Sequence, residues 1–117
     1  MKTFSIIFEN EEILLVNKEA GVSVQGGSGI AHPLDAELSL QLGYKIFLVH
    51  RLDKDTSGLM VIALSKYAQI KLVRAISKHD VVREYEAICE GLIASGGTIE
   101  ADINRDPYNR TRMAVVC

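Results

Sequence analysis

Residues 47–64 place the strongest constraint on how this chain can fold. Phe47-Leu48-Val49 and Leu59-Met60-Val61-Ile62-Ala63-Leu64 are apolar, whereas His50-Arg51-Leu52-Asp53-Lys54-Asp55-Thr56-Ser57 between them is mostly polar. Short apolar runs bounded by turn residues read as buried strands. The charged stretch then becomes a loop held between rigid elements, a common way to carry functional groups.

Within this loop Asp53 stands between two cations, Arg51 and Lys54, with Asp55 two residues further on. A carboxylate among cations is suited to act as an anion, a nucleophile rather than a proton donor. Thr56-Ser57-Gly58 can turn the chain back into the sheet, because Gly58 tolerates backbone angles that other residues resist. Residue types alone favour a plainer reading, in which Asp53 pairs with Arg51 as a structural ion pair and Asp55 and Thr56 make a turn.

The order of the residues changes that balance. His50-Arg51-Leu52-Asp53 followed by Thr56-Ser57-Gly58-Leu59 closely resembles the signature of the RluA family of RNA pseudouridine synthases. Two further segments are similar to the family's, in the same order. Val16-Asn17-Lys18-Glu19-Ala20-Gly21 resembles its Asn-Lys-Pro-x-Gly segment, with Glu19 in place of the usual proline. Arg83-Glu84-Tyr85-Glu86-Ala87 resembles its Lys-x-Tyr-x-Ala strand, with Arg83 where lysine is usual. The resemblance implies that Asp53 is the catalytic residue and that Tyr85 packs on the target uridine. It further implies that Arg51 enters the space left by the flipped nucleotide or holds its phosphate. Arg83 supplies positive charge, with a geometry that differs from lysine's. His50 is a structural or RNA-facing residue.

Composition fits a small globular domain with one modest core. The chain has 117 residues, of which 48% are apolar and 24% charged, an ordinary globular balance. No apolar run approaches the roughly 18 residues of a membrane span, and Met1-Lys2-Thr3-Phe4-Ser5 does not open a secretory signal. Cys89 and Cys117 make neither a disulfide framework nor a metal-ligand cluster. No metal site is expected, and a reducing cytoplasm fits best. The formal net charge of −2 argues weakly against a nucleic-acid partner, but its distribution is uneven. Acidic residues gather early, in Glu9, Glu11, Glu12, Glu19, Asp35 and Glu37, while Arg105, Arg110 and Arg112 lie near the end. Lys66, Lys71, Arg74 and Lys78 fall on one expected helix, where a solvated face is preferred to a phosphate track.

Along the chain, residues 4–8 and 13–16 read as a hairpin around the acidic turn Glu9-Asn10-Glu11-Glu12. Val22-Ser23-Val24 reads as a short edge-like strand. Gln25-Gly26-Gly27-Ser28-Gly29 lacks the Gly-Lys-Ser/Thr ending of a phosphate loop and is read as a plain loop. Residues 34–43 predict a helix with Pro33 near its first turn, Gly43 at its end and positions 34, 38 and 42 on one face. His32 before it is a surface residue rather than a ligand. Ser65 can cap a second helix through about His79, whose core stripe is Ala68, Leu72, Ala75 and Ile76. Residues 81–89 alternate as a strand that sets Arg83 and Tyr85 on one face. Residues 98–103 predict another strand, and a last one begins at Met113.

The expected fold class is therefore α+β, a mixed, mainly antiparallel sheet with flanking helices: the pseudouridine synthase fold, incomplete. Residues 1–117 would form the N-terminal part of the catalytic domain, without a separate RNA-binding module and without the later Gly-Arg-Thr-His-Gln-Ile-Arg-type segment whose basic residue pairs with the catalytic Asp. An unpartnered sheet edge near Val115 would invite self-association. The implied activity is isomerisation of uridine to pseudouridine in RNA, ribosomal ahead of transfer RNA, with activity impaired in a chain of this extent. No cofactor is needed, since no atom is gained or lost. The carboxylate of Asp53 either attacks ribose C1′, as in a retaining glycosidase, or assists removal of a ribose proton. The alternatives are a non-catalytic RNA-binding or interaction fragment and, ranked lower, a phosphate-ligand domain on the glycine loop.

Overall fold

Asn10 closes the first turn of the chain. Its Oδ1 accepts hydrogen bonds from the backbone N–H groups of Glu12 and Ile13, both at 2.8 Å, and its own N–H donates to the Ile13 carbonyl at 3.0 Å. An Asn side chain that folds back in this way mimics a backbone turn, and it joins β1 (Ser5–Glu9) to β2 (Ile13–Lys18) as an antiparallel hairpin. The register shifts between Ile6 and Phe8, so β1 carries a bulge on the sheet's edge.

These strands come from a computed structural model, which describes residues 4–105, 108 and 113–116. The chain divides into two compact units, Met1–Arg83 and Glu84–Cys117. In the first, β1 and β2 are followed by α1 (Leu34–Leu42), β3 (Phe47–Leu48), β4 (Gly58–Ala63) and α2 (Lys66–Ser77). The sheet order is β1-β2-β4-β3, and each pairing is antiparallel. β4 thus lies between β2 and β3, which sets the loop before it at the end of the sheet's centre.

The core follows from the alternation of the two central strands. Leu14 and Val16 of β2 stand opposite Ile62 and Met60 of β4, and all four are fully buried. Leu34 and Leu38 of α1 complete the cluster with Phe4, Val22, Val24, Ile46 and Leu52. Burial of such side chains contributes roughly 1.5–3 kcal/mol each.

Both helix boundaries have local causes. α1 begins after Pro33 and has no side-chain cap; instead the N–H groups of Leu34 and Asp35 donate to the carbonyls of Ser23 and Val24 at 2.8 and 3.0 Å. Residues 22–24 therefore form no strand. Their carbonyls satisfy the helix start, while Val22 and Val24 turn into the core. Gly43 ends α1 at φ 83°, the left-handed conformation that glycine adopts without steric cost. At α2, the Ser65 hydroxyl accepts from the Ala68 N–H at 3.0 Å. Replacing Ser65 with Ala is expected to destabilise the first unit by about 1 kcal/mol in urea titration. α2 packs against β3 and β4 with Ala68 buried and Leu72, Ala75 and Ile76 half-buried, the stripe that its spacing predicts.

The second unit holds β5 (Asp102–Arg105) and β6 (Met113–Val116), an antiparallel pair in which Ile103 stands opposite Val115. The strand expected over residues 98–103 thus begins later, at Asp102. Residues 81–89, expected as a strand, form none. Their alternation suits a pleated surface, but a strand exists only where a neighbour completes the ladder, and among the described residues none pairs with this segment.

Candidate active site

The loop between β3 and β4 is held at three points. Leu52, 7% exposed, inserts into the core cluster, while Arg51 and Asp53 on either side of it are exposed. A tight turn then carries the Thr56 N–H to the Asp53 carbonyl at 3.0 Å. The turn centres on Lys54 and Asp55, earlier than the expected Thr56-Ser57-Gly58, and Gly58 at φ 135° opens β4.

The second point of attachment is Lys18, the last residue of β2. It continues the inward row of Leu14 and Val16 and is fully buried. Its Nζ donates to the carbonyls of Glu19 at 3.0 Å, Val22 at 2.8 Å and Lys54 at 2.9 Å. The Lys54 carbonyl also accepts from the Gly21 N–H at 2.7 Å. An ammonium has three donors, and here they tie the turn after β2 to the aspartate loop, 36 residues away in sequence. The signal in the sequence is the alternation of Leu14 and Val16, which places Lys18 on the inward row once the strand is carried two residues past Val16.

The third point is His50. Its Nε2 accepts from the Val61 N–H at 3.2 Å, so the ring faces β4. The imidazole pKa is lowered, first by burial and then by the positive charge of Arg83. The sign for folding follows by linkage. The unfolded chain takes up the proton more readily, so this contribution to stability is complete above the ordinary value of 6.5 and is lost as pH falls through the lower folded value.

Asp53 itself is exposed and forms no ion pair among the described residues. The Arg51 guanidinium donates instead to Gln25 Oε1 at 2.9 Å, linking the aspartate loop to the glycine-rich stretch. His50, Arg51 and Asp53 thus share one loop of the first unit, which Arg83 closes as an exposed residue. Tyr85 belongs to the second unit and is 60% exposed. His32 is largely exposed, as expected, but its Nδ1 lies 2.7 Å from Oε1 of Glu37, a buried carboxylate that the sequence did not mark. Among the described residues no cluster of His, Cys, Asp and Glu could hold a metal ion, and no helix is long and apolar enough to cross a membrane.

The loop, pinned from both sides, thus presents an exposed Asp53 carboxylate and an Arg51 guanidinium held by Gln25. The family profile described as RNA pseudouridylate synthase matches residues 12–116, and the chain belongs to that family. It is 40% identical to ribosomal large subunit pseudouridine synthase D of Escherichia coli (strain K12) over 94% of this chain and 36% of that protein. With the Pasteurella multocida (strain Pm70) protein of the same name it shares 41% identity, over 95% of this chain and 36% of the relative. The chain therefore spans about a third of the length of these relatives. Among solved structures it is similar to human RNA pseudouridylate synthase domain containing 1, with TM-score 0.56 and 26% identity over 65% of this chain and 28% of that one. Human RNA pseudouridylate synthase domain containing 4 gives TM-score 0.53 and 26% identity over 65% and 30%.

Proposed function

We propose that this chain carries the catalytic aspartate of an isomerase that converts uridine to pseudouridine in RNA, ribosomal ahead of transfer RNA, in the cytoplasm. The observation that carries the proposal is the exposed Asp53 carboxylate on a loop fixed by Leu52, Lys18 and His50. The reaction breaks the bond from ribose C1′ to uracil N1 and forms one to C5, and the C5 proton leaves while N1 gains one. Asp53 serves as nucleophile at C1′ or as acceptor of a ribose proton. Arg51, released from Gln25, fills the position of the extruded nucleotide or holds its phosphate. Arg83 adds positive charge, and Tyr85 supplies a ring on which a splayed base can stack. Residues 1–117 are the N-terminal part of the catalytic domain in this reading.

The test is to incubate the 117-residue chain, and a form extended beyond Cys117, with ribosomal RNA and transfer RNA and to count pseudouridine by mass spectrometry. Pseudouridine in ribosomal RNA with the extended form is the expected result. Absence of product from both forms, together with RNA binding that weakens steeply with salt, would instead support a non-catalytic RNA-binding role.

A further inference from the structure

β3 ends one step before its register requires. Phe47 stands opposite Ala63 and Leu48 opposite Ile62, so the next pair would set Val49 against Val61. At that step the Val61 N–H is taken by the His50 ring rather than by a backbone carbonyl. An N–H left open inside a sheet would cost about 1–3 kcal/mol. The imidazole satisfies the Val61 N–H and lets the backbone leave the ladder after Leu48.

The contact also fixes the chemical form of the ring. Because Nε2 accepts, a neutral ring carries its proton on Nδ1. A charged ring has hydrogens on both nitrogens and would turn an N–H against the Val61 N–H. Nδ1 is buried without a partner among the described residues, so the Val61 contact is the ring's described anchor. The surroundings agree with a neutral ring. β3 and β4 bring no charged side chain to it. On α2, Gln69, which donates to the Leu48 carbonyl at 2.8 Å, is uncharged. Arg83 is the charged group acting on the ring, and it opposes a second positive charge.

We propose that His50 is a positioning residue: as the Nδ1–H tautomer it stands in for a strand carbonyl at Val61, ends β3 at Leu48 and so sets where Arg51 and Asp53 emerge. The proposal rests on the reading of Asp53 as the catalytic group, and it predicts that acid disorders the aspartate loop by breaking the His50–Val61 contact.

The first measurement is nitrogen-15 NMR of the 117-residue chain. The expected spectrum shows His50 as the Nδ1–H tautomer and less charged at pH 6 than free imidazole, of which roughly three-quarters is charged there. Amide exchange at Val61 should quicken at least tenfold in His50→Ala and return toward the original rate in His50→Gln, whose Oε1 can accept the same bond. In an active extended form, His50→Ala should lower kcat more than it raises KM. His50→Gln should recover part of the lost kcat and move the acid limb of its pH profile to lower pH. An Nε2–H tautomer, a ring charged as fully as free imidazole at pH 6, or unchanged Val61 exchange in His50→Ala would overturn the proposal. If His50→Ala fails to fold, the tautomer measurement and His50→Gln still decide it. Persistence of activity in Asp53→Ala would remove the catalytic reading while leaving the His50 contact intact, so the two failures are distinguishable.

Discussion

Replacing Asp53 with Asn in an active form carrying this chain is expected to cut pseudouridine formation by at least about a thousandfold, with KM for RNA little changed. The amide keeps the size of the side chain but can neither attack C1′ nor accept a ribose proton. Folding should be almost untouched. The carboxylate is exposed, and the turn uses the Asp53 backbone carbonyl rather than its side chain, so the change in stability should lie within about 0.5 kcal/mol. Single-turnover product counting together with urea titration checks both halves. A rate within tenfold of the original would remove Asp53 from the chemistry.

Lys18→Met should have the largest effect on stability, a loss of about 2 kcal/mol in urea titration of the 117-residue chain. Two effects oppose each other. Methionine removes the cost of keeping an ammonium out of water, which favours the variant. It also leaves the carbonyls of Glu19, Val22 and Lys54 without their Nζ donor. The unmade bond at the buried Val22 carbonyl costs about 1–3 kcal/mol, the part-buried Glu19 and Lys54 carbonyls cost less because water can reach them, and the Lys54 carbonyl keeps its second donor, Gly21. The stranded groups win unless water reaches all of them. A loss below about 1 kcal/mol would mean that the loop does not depend on this lysine.

What could be read from sequence depended on how local its physics is. Pro33 and Gly43 mark the two ends of α1, and the Ser65 cap marks the start of α2, because each acts within one turn of its own position. The hairpin and the two strands around the aspartate loop follow from apolar alternation and turn residues. The resemblance of residues 50–59 to one family supplied the candidate aspartate, which composition alone would have assigned to an ion pair. Other features require contacts between distant segments. Lys18 becomes a clamp only when residues 19, 22 and 54 meet, and Arg51 finds Gln25 rather than the neighbouring Asp53. His50 acts through Val61, and Glu37 is buried beside His32. Residues 81–89 show the reverse error, since their pattern suits a strand but cannot supply the neighbour that would make one.

The inward Leu52, flanked by outward Arg51 and Asp53, gives the loop a fixed phase. Deleting or inserting one residue between His50 and Leu52 would rotate the chain by half a step. It would carry a guanidinium or a carboxylate into the space now filled by leucine and expose the leucine to solvent. The number of residues between His50 and Leu52 is thus fixed by the packing of the core as much as by the chemistry of the loop.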